Sequence, residues 1–407
     1  MVIRPLRNVT GYLYPWDVLD DPAAASRIEA TGVNRVALAA AYHSVRAATP
    51  RHPERRVVDA RSAALYVPVG SAWDQQALTP AEAREWTGTN DSFSAAAAVL
   101  RGAGLPIDAW TVLTHTSAQG MRHPELCVRN AFGEIYRHAL CPSHTQVRTY
   151  AATLVGQILQ HGQPDGLILE AVGPLGFGHQ NQHEKTEGAE YSPWVQALLS
   201  LCFCQACSSA YAARGMAPQE FQNRVRAAIL REDNPHSTPE TARDAEEFRP
   251  LLDVRWDATA ALLDECLSEV AGSGTDPRIS LHVSPDPWSS GPFVPVEALR
   301  RSRLWPVMGN VTAVVPCWGD AAAGAATVTA LRHAAPTARV GSYVLVLPPK
   351  PSDAESMARE WDTLFAAGSS ELHLYHLGLA STARLNAAVE ALECLPLKDP
   401  GSPESTS

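Results

Sequence analysis

The chain has 407 residues, 45% of them hydrophobic and 19% charged, a normal globular balance with enough apolar material for a sizeable core. Its formal net charge is −10 and no block of Lys or Arg occurs, which argues against nucleic acid and anionic membrane as partners. Lysine appears only as Lys185, Lys350 and Lys398, so Schiff-base chemistry has few places to sit.

From the N-terminus onward, apolar β-rich runs alternate with helical patterns. The runs are "NVTGYLY" (8–14), "VNRVALAAAYHS" (33–44), "IDAWTVLTH" (107–115), "DGLILEAVG" (165–173), "RISLHVSPD" (278–286), "VTAVVPCWGD" (311–320), "VGSYVLVLP" (340–348) and "ELHLYHLGL" (371–379). Near-continuous apolar strands separated by helices predict a parallel sheet covered on both faces, and eight such units predict a closed (β/α)8 TIM barrel of the α/β class. The barrel is expected over 1–396, with long loops after strands two, three and four (45–90, 116–143, 174–192) and a disordered polar tail at 397–407. A single long helix is expected across "SPWVQALLSLCFCQACSSAYAARG", and the acidic stretch 231–248 reads as a surface excursion. No signal-peptide pattern opens the chain and no apolar run reaches membrane-spanning length, so a cytoplasmic protein with reduced thiols is expected.

Three cysteines, Cys202, Cys204 and Cys207, fall within six positions, and Cys141 in "LCPSHTQVRTYA" is the best fourth partner for a tetrahedral metal. Buried thiols beside a core and a redox pair are the competing readings. The order "LCPSHTQVRTYA", "LILEAVG", "LCFCQACSSAYAARG" resembles glycoside hydrolase family 42, the β-galactosidases, over about residues 139–215. The resemblance implies that Cys141, Cys202, Cys204 and Cys207 hold one structural zinc. It also implies that Glu170, at the end of strand four, is the acid/base residue. The chain departs from the family in two places: Leu169 stands where those enzymes have Asn, and "SYVLVLPPK" carries no acid where strand seven would supply the nucleophile.

A carboxylate ending an apolar strand is costly to bury without a partner, so Glu170 is the leading catalytic candidate independently of the resemblance. A second carboxylate has to come from Asp286 after strand five, Asp320 after strand six, or Glu184 in the strand-four loop. Histidines gather at strand ends (His43, His115, His282, His376) and in the strand-four loop (His179, His183), where they suit hydroxyl contacts, proton transfer or a second metal at the barrel mouth. Among the aromatics at strand ends, Trp288, Trp318 and Tyr375 are candidates to stack on a sugar ring. Lys350 is expected to be a solvated surface lysine. Three readings stay open: an enzyme acting on a carbohydrate or glycoside, with a small-molecule or oligosaccharide substrate; a lyase, isomerase or metal-assisted hydrolase using the His/Glu cluster; and a non-catalytic carbohydrate-binding barrel. Association with a second copy of the chain is also open.

Overall fold

The computed structural model describes residues 8–173, 175–178, 185–232 and 241–395. The expected tail at 397–407 and the loop candidates His179, His183 and Glu184 lie outside the described residues.

All eight expected strands form. They are β1 (Asn8–Leu13), β2 (Arg35–Tyr42), β3 (Ile107–Val112), β4 (Gly166–Glu170), β5 (Arg278–Ser284), β6 (Val311–Pro316), β7 (Arg339–Leu345) and β8 (Glu371–Tyr375). Each pairs in parallel with its sequence neighbour, and β1 pairs with both β2 (Thr10 opposite Arg35) and β8 (Asn8 opposite Glu371), which closes the barrel. Closure explains the near-continuous apolar runs, because every strand is covered outside by helices and inside by the other strands.

The inside is not the usual branched aliphatic filling. Tyr12 of β1 packs against Trp110 of β3, His282 of β5, Tyr343 of β7 and His373 of β8, with ring centroids 4.8–6.2 Å apart. Glycines make room at the floor. A Cβ on Gly166 would lie 2.2 Å from the Asp108 carboxylate, and one on Gly341 would lie 2.8 Å from the His373 ring.

The long loops carry their own small structures. After β2 come a hairpin (Val45–Ala48 with Val57–Ala60) and a two-residue strand that pairs antiparallel with Ala41 and Tyr42. After β3 comes the hairpin Cys127–Arg129 with Ile135–Leu140. Two expectations need correction. The long helix breaks into Pro193–Leu199 and Gln205–Ala213, and Cys202 and Cys204 occupy the break, where their thiols turn inward. The acidic stretch is not wholly a surface excursion. From Thr241 it forms the first turns of a 32-residue helix that buries Asp244 and Phe248. Among the described residues, no helix is long and apolar enough to cross a membrane.

Candidate functional site

Glu170 is the last residue of β4, and the chain turns sharply after it. Ala171 adopts a left-handed φ of 54°, unfavourable for a residue with a Cβ by about 1 kcal/mol or more. Three hydrogen bonds hold that turn: Ala171 N–H to the Pro292 carbonyl (2.9 Å), and the Thr114 N–H (3.2 Å) and hydroxyl (2.6 Å) to the Ala171 carbonyl. The Glu170 carboxyl is thereby fixed at the mouth, only 6% exposed. Its Oε2 accepts from Trp110 Nε1 at 2.6 Å and lies 3.4 Å from His282 Nδ1. Burial pushes the carboxyl up to about 7, against the smaller opposing effect of the Trp110 hydrogen bond. The group therefore sits near half-protonation at neutral pH, where a residue that both gives and takes a proton is most effective.

Above Glu170 opens a cavity of about 310 Å³, lined also by Tyr42, His43, Trp110, His115, Trp318, Tyr343 and Tyr375. His43 and His115 face each other at 4.4 Å, and Tyr42 stacks on His43 at 4.1 Å. Trp318 is 38% exposed and also lines a neighbouring groove of about 640 Å³ with Asp320, Lys350, Arg359 and Glu360. The walls are flat rings with few polar atoms, and among the described residues lining the cavity Glu170 is the one carboxylate.

The predicted residues divide accordingly. Glu170, His43, His115, Trp318 and Tyr375 meet at the cavity. Asp320 does not line it: its carboxylate caps the helix Ala321–Ala334, accepting from Ala323 N–H at 2.8 Å. Asp286 also lies off the cavity, bonded to the N–H of Trp288, whose ring packs on Trp194 at 4.6 Å. His282 and His376 are fully buried and do not line the cavity. His376 stacks on Tyr14 at 4.3 Å, and burial draws its pKa down to about 3, so it stays neutral. Lys350 is not a surface lysine: it is 7% exposed and paired with Glu360 at 2.5 Å.

Residues the sequence reading passed over include His373, Glu371 and Arg278, which continue inward from His282. A signal existed: Glu371, His373 and Tyr375 alternate along β8, as Arg278, Ser280 and His282 do along β5, and alternation puts polar groups on one face. Asp17 was also missed. Burial raises its carboxyl to about 7 even though it accepts the Tyr14 N–H at 2.8 Å.

The four cysteines converge. Cys141 follows the hairpin strand Ile135–Leu140, Cys202 and Cys204 come from the helix break and Cys207 from the first turn of the helix after it, and all four sulfurs lie within 4.8 Å of one another. Sγ separations to Cys141 are 3.6 Å from Cys207 and 3.8 Å from Cys202 and Cys204. These four buried thiols have the arrangement to hold a metal ion. Among the described residues no other group of three or more His, Cys, Asp or Glu side chains converges in this way, so the mouth shows no second metal site there. Cys127, Cys266 and Cys317 are buried packing thiols, whereas Cys394 is exposed.

Solved structures with the same architecture are sugar-cleaving enzymes by name. An α-L-fucosidase isoenzyme from Paenibacillus thiaminolyticus is 10% identical with a TM-score of 0.56, over 95% of this chain and 49% of its own. The PgaB glycoside hydrolase domain from Bordetella bronchiseptica is 15% identical with a TM-score of 0.55, over 95% and 99%. A β-galactosidase from Marinomonas ef1 is 10% identical with a TM-score of 0.56, over 95% and 59%. The chain folds as these glycoside-hydrolase barrels do. It spans about half of the fucosidase and three fifths of the galactosidase, and nearly all of the PgaB domain. No protein-family profile matches the sequence, and no curated protein matches it.

Proposed function

We propose that this barrel is an enzyme acting on a carbohydrate or glycoside, with Glu170 as its general acid/base. The observation that carries this reading is the Glu170 carboxyl itself: buried at the mouth, raised to about 7, and opening on a cavity walled by aromatic rings. Fold likeness supports it only as analogy, since barrels of this kind host many reactions. In the proposed reaction protonated Glu170 gives its proton to the glycosidic oxygen as the C–O bond breaks. It then takes a proton from the group that adds at the sugar carbon. Tyr42, Tyr375 and Trp318 provide the flat faces for the ring, and His43 and His115 contact its hydroxyls.

A second carboxylate is needed for the usual two-acid hydrolysis, and Glu184, outside the described residues, is the remaining sequence candidate. Glu170 is the one lining carboxylate among the described residues, and its pairing with His43 and His115 favours a second reading, a lyase or isomerase in which a histidine takes the second proton-transfer role. Turnover of a panel of aryl glycosides and oligosaccharides in isotopically labelled water separates the two. Hydrolysis places the label in the product, elimination leaves an unsaturated sugar without it, and Glu170→Gln stops either. Sugar binding by both proteins with no turnover by either would leave a binding protein.

The cysteine site we read as structural zinc, as the family 42 resemblance implies. A tetrahedron with Zn–S bonds of ~2.3 Å has edges of roughly 3.8 Å, which matches the separations among the sulfurs. Four thiolates would close the ion's coordination, so it would tie the hairpin after β3 to the segment after β4 and take no part in the reaction. Metal analysis of the purified protein, with loss of the ion in Cys204→Ser, tests this.

A further inference from the structure

Below Glu170 a continuous column of polar side chains runs down the barrel axis. His282 Nδ1 lies 3.4 Å from Glu170 Oε2, an ion-pair distance rather than a formed hydrogen bond, and His282 Nε2 lies 3.1 Å from the Tyr12 hydroxyl. The same hydroxyl lies 3.1 Å from His373 Nδ1, and His373 Nε2 lies 3.2 Å from Glu371 Oε1. Arg278 closes the column, 2.5 Å from both Glu371 oxygens. Tyr12, His282 and His373 are fully buried and Glu371 is 1% exposed.

The chemistry of the two ends restricts what the middle can do. Glu371 is held ionised by Arg278, so it accepts, and His373 Nε2 carries a hydrogen. Tyr12 has a single hydroxyl hydrogen, so it donates to one ring and accepts from the other. Two arrangements satisfy this. In the first, His373 is neutral and accepts from Tyr12, Tyr12 accepts from His282 Nε2–H, and the bare Nδ1 of His282 faces a protonated Glu170. In the second, every hydrogen has moved one place inward: His282 Nδ1–H faces the Glu170 carboxylate, Tyr12 donates to His282 Nε2, and His373 is an imidazolium beside Glu371. Both hold the same number of protons. Passing from the first to the second breaks O–H at Glu170, N–H at His282 and O–H at Tyr12. It forms N–H at His282, O–H at Tyr12 and N–H at His373.

We propose that His282, Tyr12 and His373 form a relay through which Glu170 exchanges its proton with His373 at the barrel floor. The proposal deepens the acid/base reading of Glu170 and rests on it for its purpose, though not for its existence. A buried acid beneath an occupied cavity is poorly reached by solvent, and the column gives its proton a second resting place with a compensating carboxylate. His282, Tyr12 and His373 are positioning residues in this scheme. Gly341 belongs to the same construction, because the His373 ring occupies the space a Cβ would take. The other titratable groups packed around the column are Asp108 with Arg35 at the floor, and Tyr14, Tyr343 and Tyr375 above.

The test is an NMR titration of the full chain carrying nitrogen-labelled histidine, in wild type, Tyr12→Phe, Gly341→Ala and Glu170→Gln. It needs no substrate, so an inactive chain with coupled titrations would drop the carbohydrate reading and leave the relay standing. In wild type, the His373 Nδ1 signal and the Glu170 carboxyl are expected to change together over one pH range. Tyr12→Phe removes the shared hydroxyl while keeping the ring: the two titrations separate, and the Glu170 midpoint moves by about one unit. Glu170→Gln abolishes the change at His373 Nδ1 over that range. Should Tyr12→Phe not fold, Gly341→Ala displaces His373 with every relay group retained, and the same separation is expected. A His373 Nδ1 signal that is identical in wild type, Glu170→Gln and whichever of the other two variants folds would overturn the proposal.

Discussion

Glu170 and Glu371 are the same residue type, both buried inside one barrel, at opposite ends of its axis. Burial pushes both carboxyls up. At the mouth little opposes it, a single Trp110 hydrogen bond being the counterweight, and Glu170 stays near 7. At the floor the His373 hydrogen bond and the Arg278 charge outweigh burial, and Glu371 comes down to about 2. The difference separates a carboxylate the fold has neutralised from one it has left ready to exchange a proton. Charge compensation decides which is which, and depth alone does not.

Several experiments break or sharpen that contrast. Glu170→Gln should cut turnover by about 10²–10⁴-fold, the usual worth of a general acid/base, with kcat on the best glycoside of the panel as the readout. Glu371→Ala should act on stability instead, costing about 3–5 kcal/mol in denaturant unfolding, because it leaves Arg278 charged and uncompensated among buried groups. Removing metal with a strong chelator, or Cys204→Ser, should lower the melting temperature and release zinc without shifting the pH profile of turnover.

The pH dependence of stability should have opposite signs at the two ends. Glu170 binds its proton more tightly folded than unfolded, so its contribution is present below about 4.5 and is lost as pH rises through about 7. Glu170→Gln should therefore gain about 3 kcal/mol over wild type at pH 8 and nothing at pH 4. The Glu371 contribution is present above 4.5 and is lost as pH falls toward 2. The smallest effect is expected from Trp110→Phe, which removes the one opposing hydrogen bond and should move the Glu170-dependent limb of the pH–rate profile upward by under one unit.

The barrel was legible because its cause is local. A parallel strand covered on both faces must be apolar nearly throughout, and eight such runs separated by helices leave few other architectures. Cys202, Cys204 and Cys207 were legible for the same reason, their spacing being fixed by a few bonds of chain, and Glu170 stood out as an acid ending an apolar strand. Other assignments failed where a residue's role depends on a partner that the strand pattern does not contain. Asp320 looked like an acid at a strand end but serves a helix N-terminus one turn away. Lys350 looked solvated, yet Glu360 on the following helix draws it inward. His282 and His376 shared an expected strand-end position with His43, and only closure of the barrel buried the first two away from the cavity and set the third in its wall.

The sequence by itself determined the eight strands, the alternation of strand and helix, the run Cys202, Cys204 and Cys207 and one proton-bearing candidate, since each follows from periodicity or short spacing within a segment. Only the tertiary structure decided which side chains share the cavity, that Glu170 stays partly protonated near neutral pH while Glu371 stays ionised, and that Tyr12 links two histidines from strands far apart in the chain. Those depend on contacts between residues 270 and 361 positions apart along the chain, Tyr12 with His282 and Tyr12 with His373, and on the burial that sets the strength of each charge. No local pattern encodes either.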